Sequence, residues 1–130
     1  MAAIGRGRAL RGIVKVSITR LQPGRRMSEA VIHGNTVYLA GQVAGDQSAD
    51  IKGQTAQVLA QIDALLSAAG TDKSKILTAT IYLTAIGNFA AMNEVWDGWV
   101  DQANPPARAT VEARLAAPGY LVEIVVVAAV

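Results

Sequence analysis

The chain has 130 residues, of which 52% are hydrophobic and 17% are charged, with a formal net charge of +2. This length suits one domain with a sizeable core and leaves no room for a second domain. No window approaches the ~18 uninterrupted apolar residues of a membrane span, so we expect no membrane partner. The absence of cysteine excludes disulfides, a thiol nucleophile and a thiolate metal site, and fits the cytoplasmic location that we expect. Because soluble domains are usually about 25% charged, the low value indicates that another subunit covers some apolar surface.

Charge is distributed unevenly along the chain. Residues 1–26 contain seven of the twelve Lys and Arg and no acid (+7), whereas residues 27–130 contain the other five and all ten acids (−5). We therefore predict a basic N-terminal tail over residues 1–12 and a single domain over residues 13–130. The tail lacks the apolar core of a secretory signal. It also lacks aromatic residues among its basic ones, so nucleic acid is not a favoured partner.

Hydrophobic periodicity predicts the elements in chain order as β-β-β-α-β-α-β-β. A Gly34-Asn35 pair marks a hairpin between the second and third strands, and Pro105-Pro106 leads into the next-to-last strand. The strands are predicted at residues 13–19, 27–33, 36–43, 74–83, 107–115 and 121–130, and the helices at residues 51–69 and 89–100.

The helix at residues 51–69 has the clearest pattern. Asp50 is placed to cap its start and Gly70 to end it. An apolar stripe at i, i+3, i+4 and i+7 spacing faces the core, with the glutamines and Asp63 off the stripe. The stripe consists of Val58, Leu59, Ile62, Leu65, Leu66 and Ala69.

These elements predict an α+β fold in which a six-stranded mixed sheet is covered on one face by two helices. The last strand is apolar at both odd and even positions, so its second face also needs cover. An apolar sheet face without intramolecular cover indicates oligomerisation through the sheet.

One guanidinium and one carboxylate form the best candidate for a polar site. Alternation places Arg108, Thr110 and Glu112 on one face of their strand, and Glu123 is the one acid in the apolar last strand. A buried charge is costly unless it is paired, and an arginine fork suits a planar carboxylate. The alternatives at this point are a structural strand arginine and a salt-bridge partner.

Other chemistries find no support in the sequence. The single histidine, His33, follows no ligand pattern, so no metal site is expected. Phosphate-binding loops, dinucleotide fingerprints and a serine nucleophile elbow are absent. Trp96 and Trp99 are interpreted as packing residues of the second helix.

The last two strands carry a family resemblance. The segment Pro106–Leu115 (PARATVEARL), then Leu121–Ile124 (LVEI), closely resembles the C-terminal signature of the RidA (YjgF-type) reactive-intermediate deaminase family. Leu39–Val43 (LAGQV) and Phe89–Asn93 (FAAMN) are also similar to that family. The resemblance covers roughly residues 27–130.

The resemblance implies a chorismate-mutase-like homotrimer with sites in clefts between subunits. It implies hydrolysis of 2-imino or enamine acids to 2-oxo acids and ammonia, without a cofactor. By motif position, Arg108 matches the arginine that binds the substrate carboxylate, and Glu123 matches the acid that activates water. Asn93 matches an asparagine near the pocket. We expect Arg108 and Glu123 to meet in a crevice completed by a neighbouring copy.

Three other predicted substrate-binding positions depart from the family pattern. Met27 stands where archetypal members have a tyrosine, Ala40 where they have a serine, and Thr110 where cysteine is frequent. These changes remove polar groups that could orient the substrate or transfer protons, and they indicate a divergent subgroup.

Three other functions remain open. The first is a non-catalytic trimer that binds small carboxylates, and the second is a ribonuclease, an activity reported for some members. The third is a chorismate-mutase-type isomerase, which the fold would allow but the Arg108/Glu123 pattern does not favour.

Overall fold

A computed structural model of the chain describes residues 16–130. This part of the chain contains seven strands, two α-helices and two short 3-10 helices (Lys73–Lys75 and Ile86–Asn88). The strands are β1 (Ile18–Leu21), β2 (Ala30–His33), β3 (Thr36–Leu39), β4 (Gln42–Val43), β5 (Ile76–Leu83), β6 (Ala107–Glu112) and β7 (Val122–Ala129). The α-helices are α1 (Ile51–Ala68) and α2 (Phe89–Trp99). The predicted tail (1–12) and the start of the predicted first strand (13–15) lie outside the described residues.

The strands form one mixed sheet in the order β1-β2-β3-β7-β5-β6, and β4 also pairs with β7. Only the β5–β6 pair is parallel among these residues. The connection between β5 and β6 contains α2, as parallel neighbours require a crossover. β7 occupies the centre of the sheet and β6 lies at an edge, so one predicted site residue is on a central strand and the other on an edge strand.

Both helices cover the same face of the sheet, as predicted. Along β7, Val122, Ile124 and Val126 are fully buried in the core that the helices cover. Val125 and Val127, on the other face of the strand, are only half-buried. The α+β class with two helices and a mixed sheet is therefore confirmed. We call the side that lacks helices the open face.

The third predicted strand is two strands, so the sheet has seven rather than the predicted six. The chain kinks at Ala40 and Gly41, and the segments before and after the kink both pair with β7. The Ala40 N–H donates to the Glu29 carbonyl at 2.8 Å, which extends the pairing with β2 beyond β3, whereas the pairing with β7 stops at Tyr38 and resumes at Gln42. Periodicity cannot show this break, because both segments are equally β-rich.

α1 has the predicted ends but one unpredicted buried residue. Asp50 accepts a hydrogen bond from the Gly53 N–H at 2.8 Å, and Gly70 has the left-handed φ of +83° expected just after a helix. Gln54, predicted to lie off the apolar stripe, is 0% exposed, so that prediction is wrong. Neither helix in residues 16–130 is long and apolar enough to cross a membrane.

Other strand boundaries shift because of local backbone geometry. β1 continues to Leu21, and Gln22 then turns the chain with a φ of +48°. Residues 27–29, predicted as strand, precede β2. In β5 the pairing slips between Ile76 and Thr78, which leaves Leu77 50% exposed.

Candidate functional site

Strand β6 places Arg108 beside α2. Arg108 pairs with Ala79 of β5, which is 1% exposed, so its side chain starts on the helix-covered face at the edge of the sheet. Its Nη1 donates to Asn93 Oδ1 at 2.8 Å. The guanidinium carbon lies 5.1 Å from the centre of the Trp96 ring and 5.8 Å from that of Phe89. These contacts orient a half-buried cation without neutralising it.

Most donors of this guanidinium stay available for a ligand. Arginine has five N–H donors, and Asn93 is the one side-chain acceptor that Arg108 finds among residues 16–130. The ion pair in the same residues, Lys52–Glu94, does not involve it. A half-buried guanidinium without a protein carboxylate is suited to bind a carboxylate from outside the chain.

Thr110 continues this polar row along β6. It lies two positions after Arg108, so both side chains are on the same face. Its Oγ1 is buried and has no hydrogen-bond partner among the described residues. Buried hydroxyl groups are normally paired, so this one lacks its usual partner.

Glu123 lies on the other face of the sheet. It pairs with Val43 of β4 and with Tyr82 of β5, and all three are half-buried on the open face. Its carboxylate packs against the backbone of Gly41 at the β3–β4 kink. No described residue donates a hydrogen bond to its carboxylate, which is therefore free to bind water or a ligand.

A single chain does not bring Arg108 and Glu123 together. Arg108 pairs with Ala79 of β5, and Ala79 pairs with Val126 of β7, so these three side chains share one face of the sheet. Val126 lies three positions from Glu123 along β7. Side chains an odd number of positions apart point to opposite faces. The predicted meeting of the two groups therefore requires Glu123 from a different copy of the chain.

Comparisons with known proteins place the chain in a family. The sequence model of the family described as Endoribonuclease L-PSP matches residues 17–130. The RutC family protein YoaB of Escherichia coli is 50% identical over 115 residues, which are 88% of this chain and 100% of that protein. The chain belongs to the YjgF (RidA) family. This confirms the family predicted from the sequence.

Solved structures of YjgF-family proteins have the same fold. A member from Neisseria meningitidis matches with a TM-score of 0.85 at 45% identity, covering 87% of this chain and 94% of that one. A member from Mycobacterium tuberculosis matches with a TM-score of 0.79 at 31% identity, covering 88% and 100%.

The other two positions predicted from the YjgF-family pattern lie outside the Arg108 cluster. Ala40 is half-buried at the kink, next to Gly41, and so belongs with Glu123. Met27 is 52% exposed in the loop between β1 and β2. The chain thus groups Arg108, Asn93 and Thr110 at one place and Glu123 and Ala40 at another, with Met27 apart from both.

Sequence reasoning missed three contributors to these places. Trp96, interpreted only as packing, is 5% exposed and also stacks near the guanidinium. Phe89, named above only as part of the FAAMN segment, is 40% exposed beside it. Gly41 lies in the LAGQV segment that the YjgF family shares, but its contact with Glu123 joins residues distant in sequence.

A separate groove of about 790 Å³ lies at the end of β6. It is lined by Thr84, Glu112, Arg114 and the small residues that follow, and contains no predicted site residue. Its acid, Glu112, already accepts the Ile86 N–H at 2.9 Å. Because its remaining lining is mostly alanine, leucine and proline, we assign the polar chemistry to the Arg108 cluster instead.

Proposed function

We propose that the protein hydrolyses 2-imino and enamine acids to 2-oxo acids and ammonia, at clefts between the subunits of a chorismate-mutase-like homotrimer. One observation carries the proposal: the half-buried Arg108 guanidinium is oriented by Asn93, Trp96 and Phe89 but pairs with no carboxylate among residues 16–130. Such a group binds the carboxylate of a small acid. Because the chain belongs to the YjgF family, we favour a 2-imino acid as this small acid.

The division of the site between two faces supports a cleft between copies. Arg108 lies on the helix-covered side of an edge strand, and Glu123 lies on the open face. The open face also exposes large apolar side chains, with Tyr38 at 49% and Val111 at 41%. A neighbouring copy packed on this face would bury those side chains and could bring its own Arg108 to this Glu123.

The proposed reaction adds water across the C=N bond. Arg108 holds the substrate carboxylate with two hydrogen bonds, while Glu123 of the neighbouring copy accepts a proton from the water that attacks the imine carbon. Glu123 passes this first proton to the imine nitrogen, which gives a tetrahedral aminoalcohol, and the free carboxylate then transfers the hydroxyl proton of the aminoalcohol to the same nitrogen. The C–N bond breaks, ammonia leaves, and the C=O bond of the 2-oxo acid forms. No cofactor is needed for this sequence.

The surroundings of Arg108 favour substrates with apolar side chains. A carboxylate bound to the guanidinium would lie beside the Phe89 ring, which is 40% exposed and 5.8 Å from the guanidinium carbon. An apolar substituent on that ring gains about 25 cal/mol for each Å² removed from water. We place the reaction in the cytoplasm, where enzymes that release imino acids would supply the substrate.

A non-catalytic carboxylate-binding trimer is the second candidate. The positions of Ala40 and Met27 support it, because neither side chain offers a proton donor or acceptor near Glu123 or Arg108. Both candidates require Arg108 for binding, and only the first releases ammonia.

The direct test generates an imino acid in the assay with an amino-acid oxidase and follows ammonia and 2-oxo acid formation with and without the protein. We expect faster ammonia release with the wild-type protein than with buffer. Binding of 2-oxobutanoate without faster release would support the non-catalytic candidate and contradict the deaminase.

Mixed assemblies test the cleft between copies. Arg108→Ala and Glu123→Gln subunits are each expected to be inactive alone. If each site takes Arg108 from one copy and Glu123 from another, refolding them together at equal ratio restores about a quarter of the activity, because random assembly completes that share of the sites. No recovery, with mixed trimers verified by mass spectrometry, would contradict a shared site.

A further inference from the structure

Gly41 lies directly against the Glu123 carboxylate. A Cβ built on Gly41 would overlap Glu123 Oε2 and would lie 2.9 Å from its Cδ and 3.2 Å from its Cγ. Real Cβ atoms avoid separations under 3.0 Å, so any side chain here would displace the carboxylate or the strand. The carboxylate of Glu123 therefore occupies the space that a side chain at residue 41 would take.

Backbone conformation does not explain this glycine. Among residues 16–130, the glycines with left-handed φ are Gly34 and Gly70, and Gly41 is not one of them. An alanine could adopt its backbone angles, so the need for glycine here comes from space alone.

The backbone beneath the carboxylate is held on both sides of the kink. β3 and β4 both pair with β7, and Val43 is directly opposite Glu123. Within the kink, the Ala40 N–H donates to the Glu29 carbonyl at 2.8 Å, and Gln42 Nε2 donates to the Ala40 carbonyl at 3.1 Å. Gln42 itself is 8% exposed. A backbone fixed in this way cannot easily move aside for a Cβ.

We infer that Gly41 is a positioning residue for Glu123: its missing side chain lets the kinked backbone hold the carboxylate in one orientation on the open face. The role in catalysis rests on the proposed function, whereas the steric relation rests on the geometry alone. Holding the carboxylate matters because a water-activating group must stay within hydrogen-bond reach of the attacking water. A displaced carboxylate would still leave Arg108 able to bind substrate.

A stability cycle tests the geometry without any assay of activity. Gly41→Ala is measured by thermal unfolding in the wild-type background and in the Glu123→Ala background. We expect Gly41→Ala to lower the midpoint by about 5 °C or more with Glu123 present and by less than about 2 °C without it. An equal loss in both backgrounds would overturn the steric relation.

Gly45→Ala is the matched control, because a Cβ on Gly45 meets nothing within 4 Å and its φ is not left-handed. Gly45 lies in the loop just after β4, and its replacement by alanine is the same chemical change as Gly41→Ala. We expect it to leave both the unfolding midpoint and the activity unchanged.

The kinetic test separates positioning from a general loss of structure. For Gly41→Ala we expect kcat of imine hydrolysis to fall about 10- to 100-fold with KM and the Kd of 2-oxobutanoate within about two-fold of wild type, because Arg108 is untouched. Glu123→Asp shortens the side chain and moves the carboxylate away from Gly41. In that background, Gly41→Ala should therefore lower kcat by less than about three-fold relative to Glu123→Asp alone. Full kcat in Gly41→Ala would overturn the inference.

The two proposals fail in different ways. If the wild-type protein does not release ammonia, the proposed function fails, and the stability cycle still decides whether Gly41 holds the carboxylate. If the wild-type protein is active and Gly41→Ala is equally active, the proposed function stands and the positioning role is wrong.

Discussion

At the scale of single residues, Arg108 and Thr110 are polar groups of an edge strand that the described residues leave incompletely hydrogen-bonded. Arg108 is oriented by one hydrogen bond at 2.8 Å and two aromatic rings, and Thr110 Oγ1 is buried without a partner among the described residues. Both would normally be costly in a folded chain. Their cost is offset if a ligand or another subunit supplies the missing partners.

Replacing Arg108 by alanine should abolish imine hydrolysis. Loss of one bidentate charge contact costs about 2–5 kcal/mol, which corresponds to about 30- to 5,000-fold in kcat/KM. Arg114→Ala is the control, since it removes the same charge from an exposed side chain. Steady-state kinetics on both variants checks this, and full activity in Arg108→Ala would refute the assigned role.

Replacing Thr110 by valine should not destabilise the isolated chain. The change removes an unpaired buried hydroxyl and keeps the shape, so the free energy of unfolding should stay level or rise by up to about 1 kcal/mol. Thr71→Val is the contrasting variant, because Thr71 Oγ1 donates to the Ala129 carbonyl at 2.6 Å. That variant should lose about 1–3 kcal/mol. Urea unfolding of both variants under conditions that keep the chain monomeric gives the comparison, and a large loss in Thr110→Val would show a hidden partner.

At the scale of elements, α1 organises the loop that leads into β7. The Gln54 side chain is 0% exposed and makes contacts with chain segments far from the helix. Its Nε2 donates to the carbonyls of Gly119 at 2.9 Å and Ala49 at 3.1 Å, and its Oε1 accepts the Leu121 N–H at 2.9 Å. This buried amide ties the start of β7, and therefore Glu123, to the helix.

Replacing Gln54 by leucine should destabilise the protein strongly although the volume is nearly kept. The change leaves one backbone N–H and three carbonyls, including that of Gln47 at 3.4 Å, without their partner, and each loss can cost about 1–3 kcal/mol. We expect a total loss of about 3 kcal/mol or more. Gln61→Leu on the same helix is the control, because the Gln61 side chain makes no hydrogen bond within residues 16–130 and should change stability by less than about 0.5 kcal/mol. Equal unfolding midpoints in denaturant for the two variants would contradict the role of the Gln54 hydrogen bonds in holding the loop before β7.

At the scale of the whole molecule, the two faces of the sheet differ in how much of their apolar surface is covered. The helix-covered face contains the buried core, and the open face leaves Val125 and Val127 half-buried and Tyr38 49% exposed. Apolar surface of this kind is typical of an interface. The same face carries Glu123, so the proposed assembly and the proposed chemistry would depend on one surface.

A lysine on the open face should therefore prevent both assembly and activity. Val127→Lys places a charge in the proposed interface, and we expect light scattering to show monomers and imine hydrolysis to fall at least about ten-fold. Ala60→Lys, on the exposed side of α1, should leave both unchanged. A Val127→Lys protein with wild-type mass and activity would rule out this face as the interface.

Local patterns in the sequence predict both α-helices, the positions of most strands, the alternation along β6 and the family, because these depend on residues that are close in the chain. Asp50 caps the start of α1 and Gly70 follows its end, as predicted. Arg108 and Thr110 share a face of β6. Tertiary structure decided what depends on distant pairs. The register across β5 separates Arg108 from Glu123, the kink at Gly41 turns one predicted strand into two, and Gln54 is buried only because its loop partners surround it. Periodicity describes which way a side chain points relative to its neighbours, whereas strand pairing determines what it meets.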